Sequence, residues 1–342
     1  MTCSKRTFMA LAWHLRAILL VPLALATPLA DAQPGAQQTP FSAFVPPDIN
    51  APPKGDWPVT FSSPQGDAPG VTIPGAYFKP VGTPRGAVVI VNAAVGWTDA
   101  REGNYGRALS SAGYGVLVID TYGPRAIVNT QGDNAKLSAY AQARDAFAAR
   151  RYLISLGLPA DRMAVMGTGR GGTIALLAAD RTFVPDETDR FSLAIAISAG
   201  CMFHPRAPKP GASVFMAIAD KDNVAGVSPC RDLAKEYAAA GGSVAVKTYP
   251  GASNSFEGHP VMVRMVRDHF METFVDCKVP VEADGRASLN ARLFAESDYA
   301  ALISEMRRVC MKRGGITWTN LTQKANVTLD VIDFLDANFR RQ

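Results

Sequence analysis

Residues 163–173 read MAVMGTGRGGT, a short apolar run that passes into four closely spaced glycines. The apolar run predicts a buried strand, and the residues that follow, IALLAAD at 174–180, predict a helix. A glycine-rich turn between a strand and a helix is typical of two kinds of site. One kind binds a dinucleotide, and the other raises a catalytic nucleophile above a sheet. This turn therefore bears on both the fold and the chemistry of the chain.

The dinucleotide interpretation is formally satisfied, because Gly167, Gly169 and Gly172 give the pattern G-x-G-x-x-G. That pattern should lead to a second strand that ends in Asp or Glu, which would hold a ribose. The next apolar run ends instead in SAG at 198–200, and the turn follows at least three other predicted strands. The sequence therefore disfavours NAD(P), and we expect no cofactor.

The second interpretation is a nucleophile elbow, G-x-S-x-G. Gly167 and Gly171 occupy the two flanking positions, where small residues let the strand and the helix approach closely. Gly169 stands where Ser or Cys belongs, and Thr168 is one residue early, so its side chain should point elsewhere. Taken alone, the turn leaves a degenerate elbow and a purely structural turn into the helix equally open.

Apolar runs on both sides of this turn alternate with helical patterns. Strands are predicted near 71–80, 86–94, 113–120, 163–167, 193–200, 213–220 and 243–251, and helices near 105–113, 136–156, 169–180 and 228–240. Strands that alternate with helices of about a dozen residues favour a parallel sheet covered on both sides. The sequence therefore predicts an α/β fold with a mostly parallel central sheet and helices on both faces.

The N-terminus has the pattern of a secretory signal peptide. Lys5, Arg6 and Arg16 precede the apolar run AILLVPLALA at 17–26, and the small residues Ala-Asp-Ala follow. The run is too short to span a membrane. The sequence therefore predicts a signal peptide over residues 1–32, the alternative being a buried N-terminal helix.

The remainder of the chain divides by composition. Residues 33–69 begin rich in Pro, Gln and Gly without periodicity and are expected to form a leader or linker. Residues 70–342 are expected to form one domain. We therefore expect an exported protein, periplasmic or secreted, without a membrane span once the signal peptide is removed.

Composition and cysteine usage narrow the function classes. The hydrophobic share of 48% excludes a disordered chain. The chain has 35 basic and 30 acidic residues, and the basic residues form no cluster with interleaved aromatics, so nucleic acid is not an expected partner. After removal of Cys3 with the signal, four cysteines remain, which predicts two disulfides, the alternative being buried free thiols. No spacing suggests a metal site. We predict Cys201–Cys230, because both cysteines follow strands expected to be neighbours, and hence Cys277–Cys310.

Five stretches match the motifs of one enzyme family in order. They are GAVVIVNAAVGW at 86–97, GYGVLVIDTYGPRA at 113–126, ARDAFAARRYLISLGLPADRMAVMGTGRGG at 143–172, ADKDNV at 219–224 and YPGASNSF at 249–256. They resemble, in turn, the oxyanion turn, the Pro-Arg loop, the elbow unit, the acid loop and the base loop of the dienelactone hydrolases. The resemblance covers most of the chain after residue 70 and implies the α/β-hydrolase fold.

The resemblance also implies where a catalytic triad would lie. The acid position is Asp222, which the chain retains. The nucleophile position is Gly169, which has no side chain, and the base position, where the family has histidine, is Asn254. An asparagine amide does not titrate, so it cannot take a proton from a nucleophile. We therefore expect the hydrolase chemistry of the family to be absent, which would make the chain a pseudoenzyme.

Other positions implied by the resemblance would bind a ligand. The oxyanion turn reads Asn92-Ala93 where the family has His-Gly, and Arg170 and Gly171 begin the helix after the elbow. Backbone N–H groups at such a helix start attract a carboxylate or carbonyl oxygen. Arg170 and Arg125 match arginines of the family, and they either shape the pocket rim or brace loops.

Three histidines remain after residue 32. His204 follows the strand after the elbow and His259 follows the base loop, so either could approach the pocket, whereas His269 lies in a predicted helix. For all three, a surface or structural role is favoured, because none has an obvious nucleophile to serve.

Three functions stay open on the sequence. The first is an exported, non-catalytic family member that binds a small organic acid or ester. The second is an active carboxylic-ester or lactone hydrolase with a non-standard nucleophile such as Ser253 or Ser255. The third is an envelope interaction protein that docks through residues 33–58 and a C-terminal helix at 326–341. The sequence names neither the ligand nor a protein partner.

Overall fold

Fourteen strands and six α-helices make up the structure, a computed structural model that describes residues 48–66 and 68–339. The predicted signal peptide and residues 33–47 of the predicted leader lie outside the described residues. The strands are β1 (Trp57–Gln65), β2 (Ala68–Phe78), β3 (Gly86–Val91), β4 (Tyr114–Ile119), β5 (Met163–Thr168), β6 (Leu193–Ile197), β7 (Phe203–Pro205), β8 (Ser213–Ala219), β9 (Val244–Tyr249), β10 (Val266–Thr273), β11 (Val279–Val281), β12 (Ala287–Leu289), β13 (Arg292–Phe294) and β14 (Lys312–Thr317). The helices are α1 (Asn104–Ser111), α2 (Ala139–Ser155), α3 (Arg170–Ala179), α4 (Val227–Ala239), α5 (Tyr299–Val309) and α6 (Leu321–Phe339).

An eight-stranded sheet in the order β1-β2-β4-β3-β5-β6-β8-β9 forms the centre of the fold. β2 pairs antiparallel with both of its neighbours, and every pairing from β4 to β9 is parallel. β3, β4, β5 and β6 are buried along their whole length, because α2, α3 and α4 cover one face of the sheet while α1 and α6 cover the other. The predicted α/β fold with a mostly parallel sheet is confirmed.

The sheet begins earlier than the sequence predicts. β1 and the first residues of β2 fall within residues 33–69, where a leader was expected, and β1 pairs with β2 along its length. Only Val59, Phe61 and Ser63 of β1 face the core. This period-two pattern contains too few apolar residues to stand out beside a Pro-rich flank. The described domain therefore includes residues that were assigned to the linker.

The chain after β9 builds a second layer beside the sheet. β10 pairs with β14, and β11, β12 and β13 join β7 in a small four-stranded sheet. Two disulfides are present, Cys201–Cys230 and Cys277–Cys310, and these are the pairs that the sequence predicts. The first joins the segment after β6 to α4, and the second lies within the chain after β9. His269 lies in β10 and not in a helix as expected, because the two-stranded pairing with β14 sets the backbone there.

The C-terminal helix α6 returns to the central sheet. It begins at Leu321, five residues before the predicted start at 326, and buries Val327, Val331 and Leu335. No helix within the described ranges is long and apolar enough to cross a membrane.

Candidate functional site

Gly169 lies in the sharp turn between β5 and α3, at the carboxyl edge of the parallel strands, where sites of α/β folds form. Its φ of +53° and ψ of −114° are a conformation that residues with a side chain adopt only under strain. Its backbone N–H donates to the carbonyl oxygen of Ile197 at 2.8 Å, which fixes the turn against β6. The turn therefore has the shape of a nucleophile elbow.

Space around the elbow glycines differs sharply from position to position. A Cβ at Gly171 would overlap the carbonyl oxygen of Val91, and one at Gly167 would overlap the backbone of Gly171. A Cβ at Gly169 would meet nothing within 4 Å. Gly167 and Gly171 are therefore required by the close approach of helix and strand, whereas packing does not require a glycine at position 169.

Asp222 and Asn254 occupy the acid and base positions and are joined to each other. Asn254 Nδ2 donates to Asp222 Oδ2 at 3.1 Å, while the N–H groups of Val224 and Ala225 each donate to Oδ1 at 2.8 Å. Burial raises the pKa of Asp222, and the bonds from Ala225, Asn254 and Val224 partly offset that rise. Asn254 therefore makes the hydrogen bond to the acid that a histidine would make, with an amide that cannot exchange a proton.

A cavity of about 70 Å³ opens beside Gly169 and Asn254. Its wall combines the elbow, the end of β3 and the segment after β9, which closes one side. The apolar part of the wall includes Ala93, Ala94, Val95, Met202, Val224, Ala225, Met271 and Phe274, and the polar part includes Gln131, Asn134, Arg170, Ser198, Ser255, Glu272 and Tyr299. Asp222 does not line this cavity, so a ligand there would meet Asn254 and not the acid.

Arg170 is a buried cation in the cavity wall with neutral partners. Its guanidinium donates to Gln142 Oε1, to the carbonyl oxygen of Leu137 and, at 3.0 Å, to Asn134 Oδ1. Within the described residues no carboxylate lies within 4 Å of it. A buried charge that lacks a counter-ion favours an anion nearby, as do the first-turn N–H groups of α3. Asn134 separates this guanidinium from the carboxylate of Glu272 in the same wall, because it accepts from Arg170 and donates to Glu272 Oε2 at 2.9 Å.

The predicted oxyanion turn is occupied by the protein's own hydrogen bonds. Asn92 Oδ1 accepts from the backbone and the hydroxyl of Thr121 at 3.0 and 2.8 Å, and its Nδ2 donates to the carbonyl oxygen of Ala93 at 3.1 Å. The N–H of Ala93 donates to Glu102 Oε1 at 3.3 Å. Thr121 and Glu102 thus already satisfy the Asn92 side-chain oxygen and the Ala93 N–H, while Ala93 lines the cavity, so ligand binding by these two residues stays a prediction.

Arg125 braces a loop and does not form part of the cavity wall. Its Nη1 and Nη2 donate to the two carboxylate oxygens of buried Asp145 at 2.8 and 3.1 Å, and Nη1 also reaches the carbonyl oxygen of Thr121. A bidentate pair of this kind holds both side chains in one orientation. Of the two roles left open for this arginine, the structure shows the brace.

Two hydroxyl groups in the cavity wall were missed by the sequence analysis. Ser198 Oγ and Tyr299 Oη are buried, line the cavity and have no hydrogen-bond partner among the described residues. Ser198 has a φ of +45°, uncommon for a residue with a side chain. Its place at the end of the strand next to the elbow could have indicated it. Tyr299 begins α5, and nothing in the sequence connects it to the elbow.

None of the three histidines lines the cavity. His204 Nδ1 lies 2.7 Å from Glu236 Oε2, His259 Nδ1 accepts from the N–H of Val261 at 3.2 Å, and His269 is exposed on β10. The structural or surface roles favoured for them agree with these positions.

The two serines proposed as nucleophiles differ in position. Ser253 is buried away from the cavity, where its hydroxyl accepts from the N–H of Trp318 at 2.8 Å. Ser255 lines the cavity and donates to Asn254 Oδ1 at 3.2 Å. Because that partner is an amide oxygen, it cannot remove the proton of the Ser255 hydroxyl.

Glu257 lies just after the base loop and is completely buried. Burial raises the pKa of its carboxyl, an effect that the charges of Arg101 and Lys324 partly offset. Lys324 donates to the carbonyl oxygens of Ala100 and Gly258, and burial lowers its pKa to about 8. The Glu257 carboxyl therefore pays a desolvation cost whenever it is ionised.

We expect Glu257→Gln to raise the free energy of unfolding near neutral pH. A carboxyl whose pKa is higher in the folded than in the unfolded protein does not change the free energy of unfolding below its pKa in the unfolded protein. It progressively lowers that free energy as the pH rises from there through its pKa in the folded protein. The advantage of the variant should therefore be present at about pH 8 and shrink toward about pH 4. Urea unfolding across this range measures it, with exposed Asp333→Asn as control. An advantage that grew on acidification would contradict the expectation.

Comparisons with known proteins identify the family of the chain. The sequence profile of the dienelactone hydrolase family matches residues 73–260. A Klebsiella pneumoniae protein assigned to the dienelactone hydrolases is 18% identical and superposes with a TM-score of 0.47, over 58% of this chain and 88% of that one. A thermophilic esterase of Thermogutta terrifontis is 16% identical, with a TM-score of 0.49 over 61% and 87% of the two chains. No curated protein matches the chain. Since the family profile covers more than half of its 342 residues, the chain belongs to the dienelactone hydrolase family.

Proposed function

We propose that this chain is an exported, non-catalytic member of its family that binds a small organic acid in the cavity beside Gly169. One observation carries the proposal. Position 169 has room for a side chain but has none, while Asn254 keeps the bond to Asp222 without being able to accept a proton. Covalent hydrolysis requires both an attacking group and a proton acceptor beside it. Among the described residues that line the cavity, no hydroxyl is hydrogen-bonded to a titratable acceptor.

The chemistry of the cavity wall supports an acid as the ligand. Among the described residues the Arg170 guanidinium has neutral acceptors only, so a carboxylate ligand would supply a counter-charge in direct contact with it. The free hydroxyls of Ser198 and Tyr299 offer further hydrogen bonds. The apolar remainder of the wall suits a short hydrocarbon part, and the volume of about 70 Å³ favours a small molecule.

Export is supported by the N-terminal pattern and by the cysteines. Lys5, Arg6 and Arg16 ahead of the apolar run at 17–26 are typical of a secretory signal. Disulfides such as Cys201–Cys230 and Cys277–Cys310 persist in oxidising compartments. Both observations favour a periplasmic or secreted protein.

Binding of carboxylates tests the proposed ligand class. We expect butyrate or benzoate to bind in calorimetry and the matching alcohols and methyl esters to bind at least about tenfold more weakly, because only the acids pair with Arg170. Ala94→Phe should abolish binding, since Ala94 lines the cavity. Ala238→Phe, on the exposed surface of α4, is the matched control and should leave binding unchanged. Failure of every acid to bind, or equal binding by Ala94→Phe, would contradict the proposal.

The alternative is an active hydrolase with a non-standard nucleophile. Its best support is the Ser255 hydroxyl, which lies in the cavity with a φ of +60°. A fluorophosphonate probe, with labelled peptides mapped by mass spectrometry, distinguishes the two. Labelling of Ser255 or Ser198, together with p-nitrophenyl acetate turnover abolished by Asp222→Ala, would replace our proposal with this one.

An envelope interaction protein is the third candidate. The helix predicted as a docking surface is α6, and its apolar face at Val327, Val331 and Leu335 is already covered by the sheet. Residues 33–47 lie outside the described residues. Loss of partner capture when residues 33–58 are deleted, with carboxylates having no effect, would favour this function.

A further inference from the structure

Residues 261–270 form an exposed apolar segment next to the cavity. They read VMVRMVRDHF, and eight of the ten are exposed while none is buried. Large apolar side chains are usually exposed singly, so a run of them marks an interaction surface. The most exposed are Phe270 at 73%, Met265 at 67%, Val261 at 54% and Val263 at 50%.

The same segment carries positive charge without ionic partners. Arg264 and Arg267 are exposed, and within the described ranges neither has a carboxylate within 4 Å. Asp268 is the acidic residue of the segment, and it accepts hydrogen bonds from Gln131 Nε2 at 2.9 Å and from the N–H of Phe270 at 2.8 Å. The charge that the segment presents outward is therefore positive.

The backbone displays these side chains at a fixed place. Residues 261–265 form an irregular loop, and Val266 and Arg267 pair with β14 at the start of β10. The pairing shifts register between Asp268 and Glu272, so that Phe270 projects from the bulge. Directly after it, Met271 and Phe274 line the cavity. The segment therefore borders the wall of the cavity.

We infer that residues 261–270 dock on an anionic lipid surface, with Phe270, Met265 and the valines in the apolar boundary and Arg264 and Arg267 at the phosphates. Charge complementarity selects this partner, because unpaired arginines beside exposed apolar side chains match lipid headgroups above acyl chains. An acidic protein would satisfy the arginines but not the protruding Phe270 and Met265. The inference does not depend on what the cavity binds.

Vesicle sedimentation of the full chain tests the inference. We expect binding to phosphatidylcholine vesicles that contain phosphatidylglycerol, weaker binding to phosphatidylcholine alone, and loss of binding at high salt. Arg264→Gln combined with Arg267→Gln should lower the partition coefficient about 25-fold, at about fivefold for each charge. Met265→Ser combined with Phe270→Ser should lower it at least about tenfold.

Matched variants separate this surface from the rest of the chain. Leu329→Ser removes an apolar side chain of similar exposure from α6, and Lys79→Gln removes an exposed cation elsewhere, so both variants should bind like the wild type. Any contribution of the apolar run at 17–26 is the same in every variant. The inference would be overturned if the Met265→Ser/Phe270→Ser variant bound vesicles as well as the wild type does. It would also be overturned if the chain bound an acidic polypeptide but not vesicles, or if the wild type formed a dimer that Phe270→Ser dissociates.

Discussion

The double variant Gly169→Ser/Asn254→His is expected to gain fluorophosphonate labelling at position 169 and hydrolysis of p-nitrophenyl acetate, two properties that our proposal denies to the wild-type chain. A Cβ at Gly169 meets nothing within 4 Å, so a hydroxymethyl group has room above the sheet. The backbone at Gly169 already has the φ and ψ of an elbow. A serine at this position would be strained by about 1–3 kcal/mol, and the surrounding fold would hold it in that conformation.

The remaining part of the machinery is already in place at the acid. Asp222 Oδ2 accepts from Asn254 Nδ2 at 3.1 Å, and a histidine ring N–H at that position can make the same bond. That bond would fix the tautomer that leaves the other ring nitrogen free to accept a proton. General-base assistance contributes about 10²–10⁴-fold, so we expect turnover at least about 10²-fold above the wild type.

Three further variants serve as controls: the two single variants, and the double variant with Asp222→Asn added. Each single variant should stay near the wild-type rate, because a nucleophile without a base and a base without a nucleophile act poorly alone. Adding Asp222→Asn to the double variant should remove most of the gain. A folded double variant that is neither labelled nor active would show that the groups that bind the oxyanion are also lost. The Ala93 N–H is then the first group to test, because it already donates to Glu102.

The positions that correspond to the family's triad could be predicted because they follow from the order of local motifs. Five short stretches resemble the motifs of the family in the same order, and that resemblance implies the positions of Gly169, Asp222 and Asn254 along the chain. Their approach in space follows from parallel strands whose carboxyl ends meet at one edge of the sheet.

Other parts of the site depend on contacts that no local pattern reveals. Asn92 and Ala93 match the oxyanion turn in sequence, but Thr121 and Glu102 take their polar groups. Tyr299 reaches the cavity only because the long segment after β9 folds back over it. Likewise, β1 was assigned to the linker because its burial depends on pairing with β2 and not on its own hydrophobicity.

Gly171→Ala is expected to destabilise the fold far more than Gly169→Ala, although the two positions lie two residues apart. At position 171 the new Cβ would overlap the carbonyl oxygen of Val91 and lie 3.0 Å from that of Asn92. Both obstacles are backbone, so relief requires α3 to move away from β3, at a cost of about 3 kcal/mol or more. Helix propensity works the other way, since alanine is the better helix former by about 1 kcal/mol. Propensity therefore cannot explain a loss of stability.

Gly169→Ala should cost only about 1–2 kcal/mol, the strain of a side chain at a positive φ, because nothing obstructs its methyl group. Urea unfolding of the wild type and both variants measures the two losses of free energy of unfolding. An unchanged m-value would show that unfolding remains two-state. Equal losses at the two positions would mean that the elbow glycine is needed for packing. A small loss at 169 beside a large one at 171 would mean that the fold tolerates a side chain where the nucleophile belongs. Glycine at position 169 then relieves backbone strain only, and the packing of α3 does not require it.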